Sequence, residues 1–395
     1  MKGLILALES VTSVWYTWCG CLLGSPQEKD VLVYQETDKL FSVGVSKTMS
    51  EQFVVIESGS IETSEDWVVS LQGVRGGDMH VAAVTNKQVV QARQEGLRYS
   101  CDHHGSFLYI VTNKDGAKNS KLMRVRWGGD SLGSERWEEM RPYDAAVEIT
   151  YVLPFQLGMA VLGREGGSQR AWMVIDENAG TGQGNTDLSS NTPWKAIDFQ
   201  ESMYSIHPTG NRVYDTTVIR LKYSSLVTPQ QTMEIDFVTG RRQVLREKEV
   251  PGYDRDMYRT ARVLAPSAHT PGCHIPMSLV FHKSLLDSEN STGLPVNAPV
   301  LMTGYGSYGY PIDPSFDYSR LPLLNRGVVF AIAHIRGGGE MGRHLWYEEG
   351  GKYFTKMNTF HDFADCGRHL GTIGLTDRDK LAIVGRSAGM VVMCG

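Results

Sequence analysis

Short apolar runs separated by polar, glycine-rich breaks fill the first 250 residues. FVVIE (53–57) and WVVSL (67–71) flank one such break, and FLYIVT (107–112) and KLMRV (121–125) flank the turn NKDGAKNS (113–120). Residues 158–163 and 170–175 enclose a turn at 164–168, and residues 217–223 and 232–237 form a further pair. β-Branched and aromatic runs bounded by Gly, Asn, Asp and Ser predict strands joined by turns. The units return about every 50–58 residues. Repeats of several strands on roughly this period are the mark of a β-propeller, because one small sheet cannot bury both its faces alone. A β-sandwich is the alternative that periodicity leaves open. The stretch 179–193 (AGTGQGNTDLSSNTP) reads as an exposed loop. Its glycines lack the strand and helix that a phosphate-binding reading requires.

The pattern changes near Pro251-Gly252. Residues 275–281 and 300–303 are candidate strands, and VVFAIAH (328–334) reads as a strand buried on both faces. Over 358–372, Phe360, Phe363, Ala364 and Leu370 suit an amphipathic helix, with Gly374 as its stop. Residues 381–384 form another short apolar strand. The order strand, helix, strand predicts an α/β layer with a parallel sheet. The expected domains are 1–250, propeller-like, and 251–395, α/β.

Composition narrows the function classes. The 395 residues carry 39 Lys+Arg against 44 Asp+Glu, and 41% are apolar. These are globular values, and the mild acidity gives no reason to expect nucleic acid. The 42 glycines favour a turn-rich β fold. The six cysteines form no C-x-x-C and imply neither a zinc site nor a disulfide framework. Glu9 cuts the apolar run 3–8 short of a signal peptide, and no run is long enough to span a bilayer. A cytoplasmic protein without membrane partner, metal or other cofactor is expected.

The chemistry lies at Gly385-Arg386-Ser387-Ala388-Gly389, a G-x-S-x-G directly after the strand 381–384. That context is what a nucleophile elbow requires. A serine hydroxyl needs a base to become a nucleophile, and in α/β-hydrolases the acid and histidine follow the serine in the chain. Residues 388–395 (AGMVVMCG) contain no Asp, Glu or His. Upstream, His334, His344, His361 and His369 read as structural.

The segments GYGSYGY (304–310), AIAHIRGGGE (331–340), Asn358-Thr359-Phe360 with Asp362-Phe363, and GRSAG (385–389) occur in this order. Together they resemble the start of the peptidase domain of the prolyl oligopeptidase family, in particular its oligopeptidase B branch. YSCDHHGSFLYIVTNKDGAK (99–118) resembles a propeller segment of the same enzymes. The resemblance implies a seven-bladed propeller over an α/β-hydrolase domain, an active site between them, and serine-type cleavage of short peptides after Arg or Lys. It implies Ser387 as nucleophile. It gives the Tyr305 hydroxyl and the Ala388 N–H as oxyanion donors, and makes Asp313 a substrate-binding carboxylate for a basic residue at the second subsite. Ser315 stands where a second aspartate is found in some members, so a weaker preference for paired basic residues is expected. Residues 336–340 (RGGGE) are implied to be a supporting loop.

The departures set further expectations. Only about four or five blade-like units precede residue 250, which predicts an incomplete propeller followed by the first part of an α/β-hydrolase domain. With no triad acid or histidine after Ser387, the isolated chain is expected to be inactive. The alternatives are a non-catalytic propeller interaction module with a vestigial hydrolase edge and, weakened by the missing histidine, a compact esterase.

Overall fold

A computed structural model of the chain describes residues 4–9, 17–22, 26, 28, 31–72, 86–175, 187–287 and 291–394. The glycine-rich loop expected at 179–193 lies partly outside them. Its described part, 187–193, contains no strand.

Among the described residues, five antiparallel sheets precede residue 250, each built from consecutive strands. The first has three strands, Leu4–Glu9, Thr17–Leu22 and Val31–Gln35. The apolar run near the N-terminus is therefore a strand paired with 17–22. The other four sheets have four strands each and open at Ser42–Lys47, Tyr99–His104, Val147–Phe155 and Tyr204–Pro208.

The packing between sheets explains the sequence. In Phe107–Thr112 all six residues are buried. Side chains alternate across a strand. Phe107, Tyr109 and Val111 pack with Val147, Val161 and Trp172 of the following sheet. Leu108 and Ile110 pack with Phe53, Val55 and Val68 of the preceding one. A strand with a neighbouring sheet on each side needs apolar residues at both parities, so the run is continuous instead of alternating. The same stacking recurs where Phe155 and Leu221 join the next two sheets.

After residue 250 the sheet is mixed, not parallel throughout. Its order is Tyr258–Pro266, His274–His282, Val329–Ala333, Val300–Thr303, Leu381–Val384. The last three are mutually parallel. The first two form an antiparallel hairpin, and His274–His282 also runs antiparallel to Val329–Ala333. The turn 267–273 is too short for a crossover helix, so these strands can only run antiparallel. Tyr258–Pro266 was not anticipated from the sequence, since alternate exposure dilutes its apolar signal.

The helix Met357–Thr372 covers one face of this sheet through Phe363, Cys366 and Leu370. It ends where Gly374 takes a φ of 73°, as a left-handed C-terminal cap does. The opposite face meets the strand-rich region: Val280, Phe330 and Ile332 pack with Leu226 and Val227.

Phe155 is fully buried, its ring centroid 5.3 Å from that of Phe237. Phe155→Ala should cost about 3–5 kcal/mol, read as a lower urea midpoint for the transition that reports on the β-sheets. An unchanged midpoint would show that this contact does not hold the sheets together.

Candidate active site

Ser387 sits between the edge strand Leu381–Val384 and the helix Ala388–Cys394. Its φ is +55° and its side chain is exposed. A non-glycine residue with positive φ at a strand-to-helix bend is strained, and such strain concentrates at functional positions. Gly389 permits the next contact, since a Cβ there would lie 2.7 Å from the Gly304 carbonyl oxygen. The new helix thereby packs directly against the Gly304–Tyr305 backbone. Tyr305 is half-buried, its ring edge-on to that of Tyr310. The contact runs through Gly389, two residues after Ser387, and the Gly304–Tyr305 backbone.

The tyrosine loop rests on the loop at 336–340. The Gly309 N–H donates to the Gly337 carbonyl at 3.0 Å. A Cβ on Gly337 would lie 2.1 Å from the Gly306 carbonyl oxygen, so only glycine fits. Glu340 accepts from the Ile312 N–H at 2.9 Å. Lys356, which the sequence did not single out, hydrogen-bonds the Gly306 carbonyl and the Ser307 hydroxyl. Arg336 anchors the arrangement. Its Nε and Nη2 donate to the two oxygens of Asp362 at 2.8 and 2.6 Å, and its backbone N–H donates to Asp362 at 3.0 Å. Asp362 is fully buried.

Asp313 faces the β-rich region. Arg164 Nη2 donates to both its oxygens at 2.8 and 2.7 Å, and Gln169 donates to one at 3.0 Å. It therefore sits at the contact between the two halves of the chain, away from the elbow contacts. The two halves carry further cross-links that no sequence signal revealed, because the partners lie far apart in the chain. Lys352 pairs with Glu62 at 2.7 Å and Lys118 with Glu349 at 2.7 Å. Glu148 lies 4.0 Å from Arg164. Burial pushes its carboxyl up to about 7, against the opposing pull of Arg164, Arg343 and Arg98.

Three of the four upstream histidines have other partners. His334 Nε2 and the Ser278 hydroxyl are 2.7 Å apart. His344 contacts Glu349 and Tyr143. His361 stacks on His269 with centroids 3.8 Å apart. His369 is half-buried on the Met357–Thr372 helix, and burial lowers its pKa. Among the described residues no three His, Cys, Asp or Glu side chains converge as metal ligands.

Residues 8–248 match the prolyl oligopeptidase N-terminal β-propeller domain, and residues 314–394 match the prolyl oligopeptidase family peptidase region. The chain belongs to the prolyl oligopeptidase family. It is 34% identical over 374 residues to dipeptidyl aminopeptidase BI of Pseudoxanthomonas mexicana, covering 94% of this chain and 46% of that protein. It is 33% identical over 368 residues to protease 2 of Moraxella lacunata, covering 93% of this chain and 48% of that one. Among solved structures, oligopeptidase B from Trypanosoma brucei with covalently bound antipain superposes with a TM-score of 0.85 at 34% identity. That match covers 99% of this chain and 52% of the other. Oligopeptidase B from Leishmania major gives 0.84 at 32% identity, covering 96% and 50%. The chain spans about half the length of these relatives. The propeller and a partial family peptidase domain are thereby established. Among the described residues no helix is long and apolar enough to cross a membrane.

Asp362→Ala leaves the Arg336 guanidinium buried without its partner, which should cost about 3–5 kcal/mol. Chemical denaturation should show this as an early loss of the α/β part, and a shift under 1 kcal/mol would refute the anchoring role. Glu148 carries a pH signature. Its folded pKa of about 7 lies above its ordinary value of 4.5, so its favourable contribution is complete below pH 4.5 and is lost as pH rises through 7. That amounts to up to about 3 kcal/mol. Glu148→Gln should flatten the fall in stability between pH 4.5 and 7.5, as measured by urea midpoints. An equal fall in both proteins would exclude Glu148 as its source.

Proposed function

We propose that this chain carries the nucleophile-bearing part of a serine endopeptidase that cleaves short peptides after Arg or Lys. The observation that carries the reading is Ser387, exposed and at positive φ on the strand-to-helix bend, with the Tyr305 backbone packed against that helix. Resemblance to oligopeptidase B supports the preference for basic residues.

In this reading the Ser387 oxygen attacks the scissile carbonyl. The Ala388 N–H and the Tyr305 hydroxyl donate to the oxyanion that forms. Pre-aimed donors of this kind are worth roughly 3–4 kcal/mol each of barrier. Asp313 belongs to the substrate cleft between the two domains, here taken as 1–250, with four to five blades, and 251–395. Attack requires a base to accept the serine proton. Residues 388–395 offer none, and His334, His344 and His361 are otherwise engaged. Those two facts favour a second reading, a non-catalytic interaction module, for the 395 residues acting alone.

The purified 395-residue chain should therefore show little or no hydrolysis of fluorogenic peptides ending in Arg or Lys. Loss of the triad base lowers turnover by several powers of ten, about 10⁶ in one well-studied serine protease. Fusing the chain to the part of protease 2 that it does not span should restore cleavage, and Ser387→Ala should abolish it again. A folded fusion with no serine-dependent cleavage would sink the peptidase reading and leave the interaction module. Robust Ser387-dependent turnover by the unfused chain would show that a base is supplied within it.

A further inference from the structure

The cleft between the two halves contains two adjoining cavities of about 350 and 420 Å³. Both are lined by Tyr310, His207 and Asp313. Asp313 is a carboxylate placed to receive a basic side chain, yet both its oxygens are already engaged by Arg164, and one also by Gln169. Arg164 is 5% exposed, and among the described residues its other acidic neighbour within 4.0 Å is Glu148. A guanidinium arriving from the cavity can take Asp313 only by stripping Arg164 of its bidentate partner and leaving a buried cation beside Glu148 alone. Stranding a buried charge in this way is strongly unfavourable. The remaining charged side chains that line the two cavities, Arg170 and Lys222, are also cationic.

Building on the peptidase reading above, we propose that Arg164 is a specificity-determining residue. From within the chain it fills the place of a basic substrate side chain, so the cleft at Asp313 accepts peptides with a neutral or acidic residue there and gains nothing from a basic one. The absence of a second carboxylate at Ser315 works in the same direction: Asp313 is the one acid at that turn, and it is occupied.

The test reads binding, so it is independent of whether Ser387 turns over. Three fluorescein-labelled, N-acetylated hexapeptides ending in arginine, with Arg, Gln or Glu immediately before it, are titrated against the full 395-residue chain by fluorescence polarisation. In the unaltered chain the Arg peptide should bind no more than threefold tighter than the Gln peptide. Arg164→Gln, or Arg164→Met should the first not fold, frees Asp313 and Glu148. The Arg peptide should then bind at least tenfold tighter than the Gln peptide, and adding Asp313→Asn should erase that gain. A tenfold or greater Arg preference in the unaltered chain overturns the proposal. So does a folded Arg164 variant that gains no Arg preference, including one that binds none of the peptides.

Discussion

The candidate site depends on two backbones coming closer than any side chain would allow. Gly337 lies against the Gly306 carbonyl and Gly389 against the Gly304 carbonyl, with no room for a Cβ at either place. Contacts this tight give little energy of their own and must be held from outside. The buried Arg336–Asp362 pair does this, tying the glycine loop to the Met357–Thr372 helix through side-chain and backbone donors at once. The helix is in turn fixed to the sheet by Phe363, Cys366 and Leu370. Geometry at Tyr305 and Ser387 is therefore set by a chain of contacts that begins in the apolar core and ends at the exposed hydroxyl.

The two halves of the chain meet through different physics. Near the hairpin the contact is apolar, with Leu226 and Val227 on Phe330 and Ile332. Elsewhere it is ionic, through Arg164–Asp313 at the cleft and through Lys352–Glu62 and Lys118–Glu349. Pairs at partly exposed positions contribute little each. The buried Arg164–Asp313 pair differs: it cannot be broken without stranding a charge, which makes it a determinant of what the cleft can hold.

Much of this was legible in the residues. The elbow strand and the strand 300–303 match the expected positions, and the long helix begins one residue earlier than expected. The propeller was readable because each sheet repeats one short problem, burying both faces, and the runs at 107–112 and 158–163 solve it with continuous burial. The antiparallel hairpin at Tyr258–His282 was not foreseen, since strand direction depends on how a turn closes and periodicity carries no information about that. Lys356 was missed for a related reason: its role exists only because a carbonyl 50 residues upstream lies beside it.

The amino-acid order alone determined the local events: runs that must be strands, glycines that permit a sharp bend, and a serine placed at its apex. These follow from sterics and from hydrophobic period, which act between near neighbours. The tertiary structure decided which charges face each other. It set Asp313 against Arg164 and gave His334, His344 and His361 other partners. Electrostatic pairing across hundreds of residues depends on distance in space, and folding alone sets that distance.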